Sequence, residues 1–85
     1  MSKKLSREEI ERKVNEILAT TLQIDTSEPR ADAVLSTDYQ ADSLDAVDIC
    51  IALEHEFEIC IEDDAFSTAH QLKVSDVYDL VGERL

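Results

Sequence analysis

Hydrophobic side chains recur at helical spacing near both ends of the chain. Over about residues 7–22 they fall on one face, after Ser6 and Glu9, which form the S-x-x-E pattern of a capping box. Over about residues 74–84 valines and Tyr78 share one face. These two stretches are therefore predicted to be helices.

A third helix is predicted in the middle of the chain, at about residues 43–58. Asp42 is a good N-cap residue, and Asp45 follows three positions later, where an acidic side chain favours the helix N-terminus. Apolar residues then continue from Leu44 to Phe57. Ser43 accordingly falls in the first turn and faces solvent.

This middle helix has two apolar stripes rather than one. At about 100° per residue, the first stripe comprises Ala46, Ile49, Cys50, Leu53 and Phe57. The second comprises Leu44, Val47 and Ile51, and it is bordered by carboxylates. Two interpretations follow. Either both stripes are buried, one against the first helix and the other beneath a loop, or the second stripe is a docking surface for a basic protein.

The stretches between these helices lack a sustained period. Residues 23–41 are predicted to form a long loop, and such loops are uncommon in small domains unless apolar side chains anchor them. Leu35 is the first candidate anchor, with Val34 and Tyr39 beside it. Residues 58–62 are interpreted as the turn that leaves the middle helix, and a short helix is predicted at about residues 65–70.

Composition limits the chain to one small domain. Its 85 residues, with 44% apolar side chains, one Gly and one Pro, favour an all-α fold over residues 1–85. We expect a small four-helix bundle with three longer helices, one short helix and a long loop between the first two long helices.

Charge narrows the choice of partners. The net charge of -12 opposes binding to nucleic acid or to anionic membrane surfaces. The acidity is concentrated in residues 31–72, which contain eleven Asp or Glu residues and no Lys or Arg. A partner of this region is therefore expected to be basic.

Cysteine usage and the lack of a long apolar run predict a cytoplasmic protein without a membrane span. Cys50 and Cys60 form no C-x-x-C motif and are too few to hold a domain together, so buried thiols in a reducing compartment are expected. Neither a metal site nor catalysis is predicted. A nucleophilic serine needs a nearby base, and only carboxylates lie close to Ser43 in sequence.

An exposed serine between two aspartates, followed by a docking stripe, has the features of a site that another enzyme modifies. Asp42-Ser43-Leu44-Asp45, followed by Val47-Asp48 and then by Ala52-Leu53-Glu54-His55-Glu56-Phe57, resembles the acyl carrier proteins. The resemblance extends over nearly the whole chain, including the first helix, the long loop and the last helix.

This resemblance implies a four-helix bundle whose Ser43 hydroxyl receives 4′-phosphopantetheine from coenzyme A through a phosphopantetheinyl transferase. The arm's thiol would hold acyl groups as thioesters and present them to fatty-acid, polyketide or related enzymes, so the chain itself is expected to be a non-catalytic, cytoplasmic monomer. The residues implied to meet basic patches on acyl-transferring and acyl-modifying enzymes are Asp42, Leu44, Asp45, Val47, Asp48, Ile51, Glu54, His55 and Glu56.

Some positions depart from the family pattern. Tyr39-Gln40 stands where Leu-Gly is usual, which predicts a different turn before the middle helix. His55 replaces a residue that is often acidic, Glu62 replaces a common Pro, and the stretch between Ile61 and Val74 is about two residues longer. These departures favour a specialised carrier. A peptidyl or D-alanyl carrier and an unmodified acidic interaction module remain the alternatives.

Overall fold

Three long helices and one short helix form in the ranges described by the computed structural model, which are residues 5–25, 27, 29–62 and 72–85. We label them α1 (Arg7–Leu22), α2 (Leu35–Asp38), α3 (Ser43–Phe57) and α4 (Val74–Arg84). No β-strand occurs in these ranges, and the predicted all-α fold is confirmed.

The helix starts follow from the sequence. Glu9 N–H donates to the Ser6 hydroxyl (3.2 Å), and Ser6 N–H donates to Glu9 (3.3 Å), so the predicted capping box forms. The bounds of α1 and α4 coincide with the predicted ranges, and α3 ends one residue earlier than predicted.

The prediction of an irregular loop over residues 23–41 was wrong in one respect, because α2 forms within it. Four residues are too few to show a helical period, and long-range backbone bonds hold this turn in place. Leu35 N–H donates to Leu72 O, and Val74 N–H donates to Ala33 O, both at 2.9 Å. Leu35 is buried, as expected of the anchor. The short helix predicted at residues 65–70 lies outside the described residues.

The core forms where α1 packs against α3 and α4. Burial of these apolar faces supplies the main driving force for folding. The largest side chains that are fully buried are Val14, Leu18, Ile49, Leu53, Val74, Val77 and Val81. The first stripe of α3 therefore belongs to this core, as both interpretations of the sequence required.

Polar contacts join α1 to each neighbouring helix. The Lys13 ammonium lies 2.9 Å from Glu56 on α3, and the Arg7 guanidinium lies 2.8 Å from Asp79 on α4. The Tyr78 hydroxyl also donates to Asn15 Oδ1 at 2.6 Å. These contacts fix how α3 and α4 sit on α1. No helix in the described ranges has the length and apolar character needed to cross a membrane.

Candidate functional site

Ser43 is the first residue of α3, and its side chain is exposed. Asp45 N–H donates to the Asp42 carboxylate (2.9 Å), and Asp42 N–H donates to the Asp45 carboxylate (3.1 Å). Because Asp42 and Asp45 cap the start of α3, the Ser43 side chain is not needed as a cap. Among the described residues the Ser43 hydroxyl forms no hydrogen bond, so it is available for modification.

The turn before Ser43 contains a residue in an uncommon backbone conformation, and its predicted difference from the family's turn stays a prediction. Gln40 has φ 58°, in the left-handed region that glycine adopts most easily. Two hydrogen bonds hold the turn, because Tyr39 N–H (3.2 Å) and Ala41 N–H (3.0 Å) both donate to Leu35 O. A glutamine in this conformation is strained, because its Cβ atom lies close to a neighbouring carbonyl oxygen.

The second stripe of α3 is exposed. Leu44 is 74% exposed, Val47 54% and Ile51 49%. The interpretation in which both stripes are buried was therefore wrong, since neither α1 nor the loop before α3 covers this face. The stripe begins beside Ser43 and continues for about two turns along the helix.

The carboxylates predicted to surround this stripe differ in their contacts. Asp42 and Asp45 form the capping box, whereas Asp48 is exposed and forms no hydrogen bond or ion pair with any other described residue. Glu54 accepts a hydrogen bond from Ile61 N–H at 2.8 Å, and Glu56 pairs with Lys13. All five were predicted to form one acidic rim around the stripe, and the contacts of Glu54 and Glu56 were not predicted.

The partner of Glu56 could have been considered from the sequence, because Lys13 lies within a predicted helix. The Lys13 side chain is only 33% exposed, and its ammonium reaches Glu56 on α3. The hydrogen bond to Glu56 raises the pKa of the Lys13 ammonium. No motif or spacing in the sequence predicts the hydrogen bond between Glu54 and Ile61 N–H.

The prediction that both cysteines are buried was wrong for Cys60, which is exposed, while Cys50 is half-buried and packs against the core. After Glu58 ends α3, the next side chains alternate in direction. Ile61 is buried and Ile59 packs against the core, so Cys60 between them points outward.

The site fits a covalently attached phosphate-linked group. The hydroxyl is exposed, and a phosphate at a helix N-terminus is stabilised by the helix dipole. Catalysis by Ser43 itself is not supported. His55 lies twelve residues along the same helix, or about 18 Å at 1.5 Å per residue, too far to act as its base.

Comparisons with known proteins point to the same chemistry. A family model for the phosphopantetheine attachment site matches residues 12–80. The acyl carrier protein of Petrotoga mobilis is 36% identical over 81 residues, which cover 95% of this chain and 93% of that protein. That of Thermotoga maritima is 41% identical over 76 residues, covering 89% and 88%.

A solved structure of the acyl carrier protein from Enterococcus faecalis has the same fold. Its TM-score is 0.76 at 23% identity, and the match covers 95% of this chain and 100% of that chain. The family model and the curated relatives establish phosphopantetheine as the prosthetic group and biosynthetic enzymes as the kind of partner. The chain belongs to the acyl carrier protein family and is a non-catalytic carrier.

Proposed function

We propose that Ser43 is the attachment point of the 4′-phosphopantetheine arm and that a phosphopantetheinyl transferase installs it from coenzyme A. The observation that carries the proposal is an exposed hydroxyl at the first position of α3, with no hydrogen bond to a described residue. When attached, the arm's terminal thiol holds acyl groups as thioesters.

Intact mass tests the attachment. After incubation with coenzyme A, magnesium and a broad-specificity phosphopantetheinyl transferase, the wild-type chain should gain about 340 Da, the mass of one phosphopantetheine group. Ser43→Ala should gain nothing, and Ser27→Ala, which alters an exposed serine in the loop, should gain the full mass.

An unmodified wild-type chain would contradict the proposal and leave an acidic interaction module as the better description. Modification of Ser43→Ala would place the arm elsewhere.

Isolation of the protein from its host, followed by mass analysis of the thioester, would distinguish acyl from aminoacyl cargo and fatty-acid from polyketide intermediates. Gln40 and Glu62 differ from the residues usual in the family, which supports a carrier that works in one dedicated biosynthetic pathway.

We also propose that the exposed stripe of Leu44, Val47 and Ile51, with the carboxylates beside its N-terminal half, docks basic patches on partner enzymes. Support comes from its exposure beside Ser43 and from the absence of Lys and Arg between residues 31 and 72. Apolar contact would supply affinity while the charges speed encounter, so complexes form quickly and separate again.

The free thiols of Cys50 and Cys60 support a reducing cytoplasm as the compartment in which the protein works.

Truncating an exposed and a buried leucine of α3 separates docking from folding. Leu44→Ala should slow modification by the transferase with little change in helix content, because its side chain is 74% exposed. Leu53→Ala, in the core, should destabilise the fold by about 2–5 kcal/mol. Circular dichroism and loading rates check both, and a large loss of helix in Leu44→Ala would show that this side chain is structural.

A further inference from the structure

Glu54 accepts hydrogen bonds through both its side chain and its backbone. Its carboxylate accepts from Ile61 N–H at 2.8 Å in a partly buried position. Its backbone carbonyl accepts from Glu58 N–H and, at 3.2 Å, from Ile59 N–H. Three of the backbone donors that follow the last turn of α3 are thus satisfied by one residue.

These bonds position the segment that leaves α3. Glu58 has φ 55°, so the chain reverses direction there and runs back along the helix. Ile61 is then inserted into the core, with 6% of its side chain exposed. Its N–H bonds to the Glu54 carboxylate in a partly buried position, where a donor without an acceptor is costly.

Glu56 is also engaged within the molecule. Its carboxylate lies 2.9 Å from the Lys13 ammonium, which joins α3 to α1. The two glutamates of the C-terminal half of α3 therefore act on the fold, although both were predicted to contact partners. Asp48, beside the exposed stripe, forms no hydrogen bond or ion pair with any other described residue.

We propose that Glu54 is a positioning residue for the turn after α3 and that the basic groups of a partner enzyme meet the N-terminal half of α3, where Asp48 is the docking carboxylate. The proposal rests on the function proposed above. The carboxylates of α3 thus have two different roles. Asp48 contacts the partner, whereas Glu54 and Glu56 stabilise the fold. A basic protein is the fitting occupant because the surrounding span from residue 31 to 72 contains no Lys or Arg.

Two variants of Glu54 separate its charge from its hydrogen bond. Glu54→Gln removes the charge but keeps an oxygen that can accept from Ile61 N–H, whereas Glu54→Asp keeps the charge and shortens the reach by one methylene. Asp48→Asn removes the proposed docking charge. Glu16→Gln, which removes an exposed charge from α1, is the matched control.

Two measurements on each variant distinguish the roles. Amide hydrogen exchange of Ile61, followed by NMR, should accelerate about tenfold or more in Glu54→Asp and less than about twofold in the other variants. The rate of phosphopantetheine loading at low salt should fall severalfold only in Asp48→Asn, and high salt should remove most of that difference.

Either half of the proposal can be overturned independently. Slower low-salt loading of Glu54→Gln, to the extent seen in Asp48→Asn, would make Glu54 a docking charge. Unchanged Ile61 exchange in Glu54→Asp would exclude a positioning role. Failure of the wild-type chain to load would instead contradict the proposed attachment, and the exchange measurement would still test the role of Glu54.

Discussion

At the scale of single residues, the backbone at three positions is unusual for the side chains present. Gln23, Gln40 and Glu58 have φ between 55° and 59°, where glycine has no steric penalty. Gln23 and Glu58 end α1 and α3, and Gln40 lies in the turn before Ser43. Each such residue costs about 1–2 kcal/mol relative to its right-handed conformation.

Replacing Gln40 by glycine should stabilise the protein. Relief of the left-handed strain exceeds the extra entropy that glycine gives the unfolded chain, so a net gain of about 0.5–1 kcal/mol is expected. Urea denaturation measures it, with Gln40→Ala as the control that keeps a Cβ atom and should change stability little. A destabilised glycine variant would show that the Gln40 side chain contributes more than its conformation costs.

Residues whose roles depend on local sequence were the ones that could be predicted. The apolar character of Leu35 within a polar loop indicated an anchor, and the position of Ser43 after Asp42 indicated an exposed hydroxyl. The contact between Glu56 and Lys13 joins residues 43 positions apart, and the outward direction of Cys60 depends on where α3 ends. A single sequence contains no period or motif that encodes such relations.

At the scale of helices, prediction succeeded where apolar residues recur at helical spacing over three turns or more, as in α1, α3 and α4. Both α1 and α3 begin at a capping box, formed by Ser6 with Glu9 and by Asp42 with Asp45. The short helix α2 was missed because its stability comes from elsewhere in the chain. Leu35 N–H bonds to Leu72 O, a contact that local pattern does not reveal.

Removal of the capping box of α1 or of α3 should reduce the stability of the fold. Only removal of the α3 box should also slow the loading of phosphopantetheine. Asp42→Ala and Ser6→Ala are each expected to cost about 1 kcal/mol, because each leaves first-turn N–H groups without their side-chain acceptor. Only Asp42→Ala alters the start of α3 beside Ser43, so only this variant should load more slowly. Urea denaturation and intact mass over time provide the two measurements. Equal loading by both variants would argue that local order at Ser43 does not matter to the transferase.

At the scale of the whole molecule, one ion pair links the end of α4 to the segment after α3. The Arg84 guanidinium contacts Glu62, and this hydrogen bond lowers the pKa of the Glu62 carboxyl. A lowered folded-state pKa means that the stabilisation is present at neutral pH. It is lost as the pH falls through the folded-state pKa of the group.

The midpoint of thermal unfolding should report this linkage. Glu62→Gln is expected to lower the midpoint slightly at pH 7, because the carboxylate is well exposed and solvent screens the pair. The difference from wild type should shrink as the pH falls through the folded-state pKa of Glu62, which lies below the usual value for a glutamate. Glu16→Gln, which removes an exposed carboxylate from α1, is the control. A difference that persists in acid would mean that the glutamate acts through packing rather than charge.

The exposed stripe on α3 also links solubility to charge. Three large apolar side chains stay in water at neutral pH, and the net charge of -12 keeps copies of the chain apart. Acid that brings the chain to its isoelectric point, about pH 4.3, removes this repulsion while the stripe remains exposed. The acidic side chains therefore also keep the protein monomeric in solution. When the net charge approaches zero, we expect copies of the chain to associate through Leu44, Val47 and Ile51.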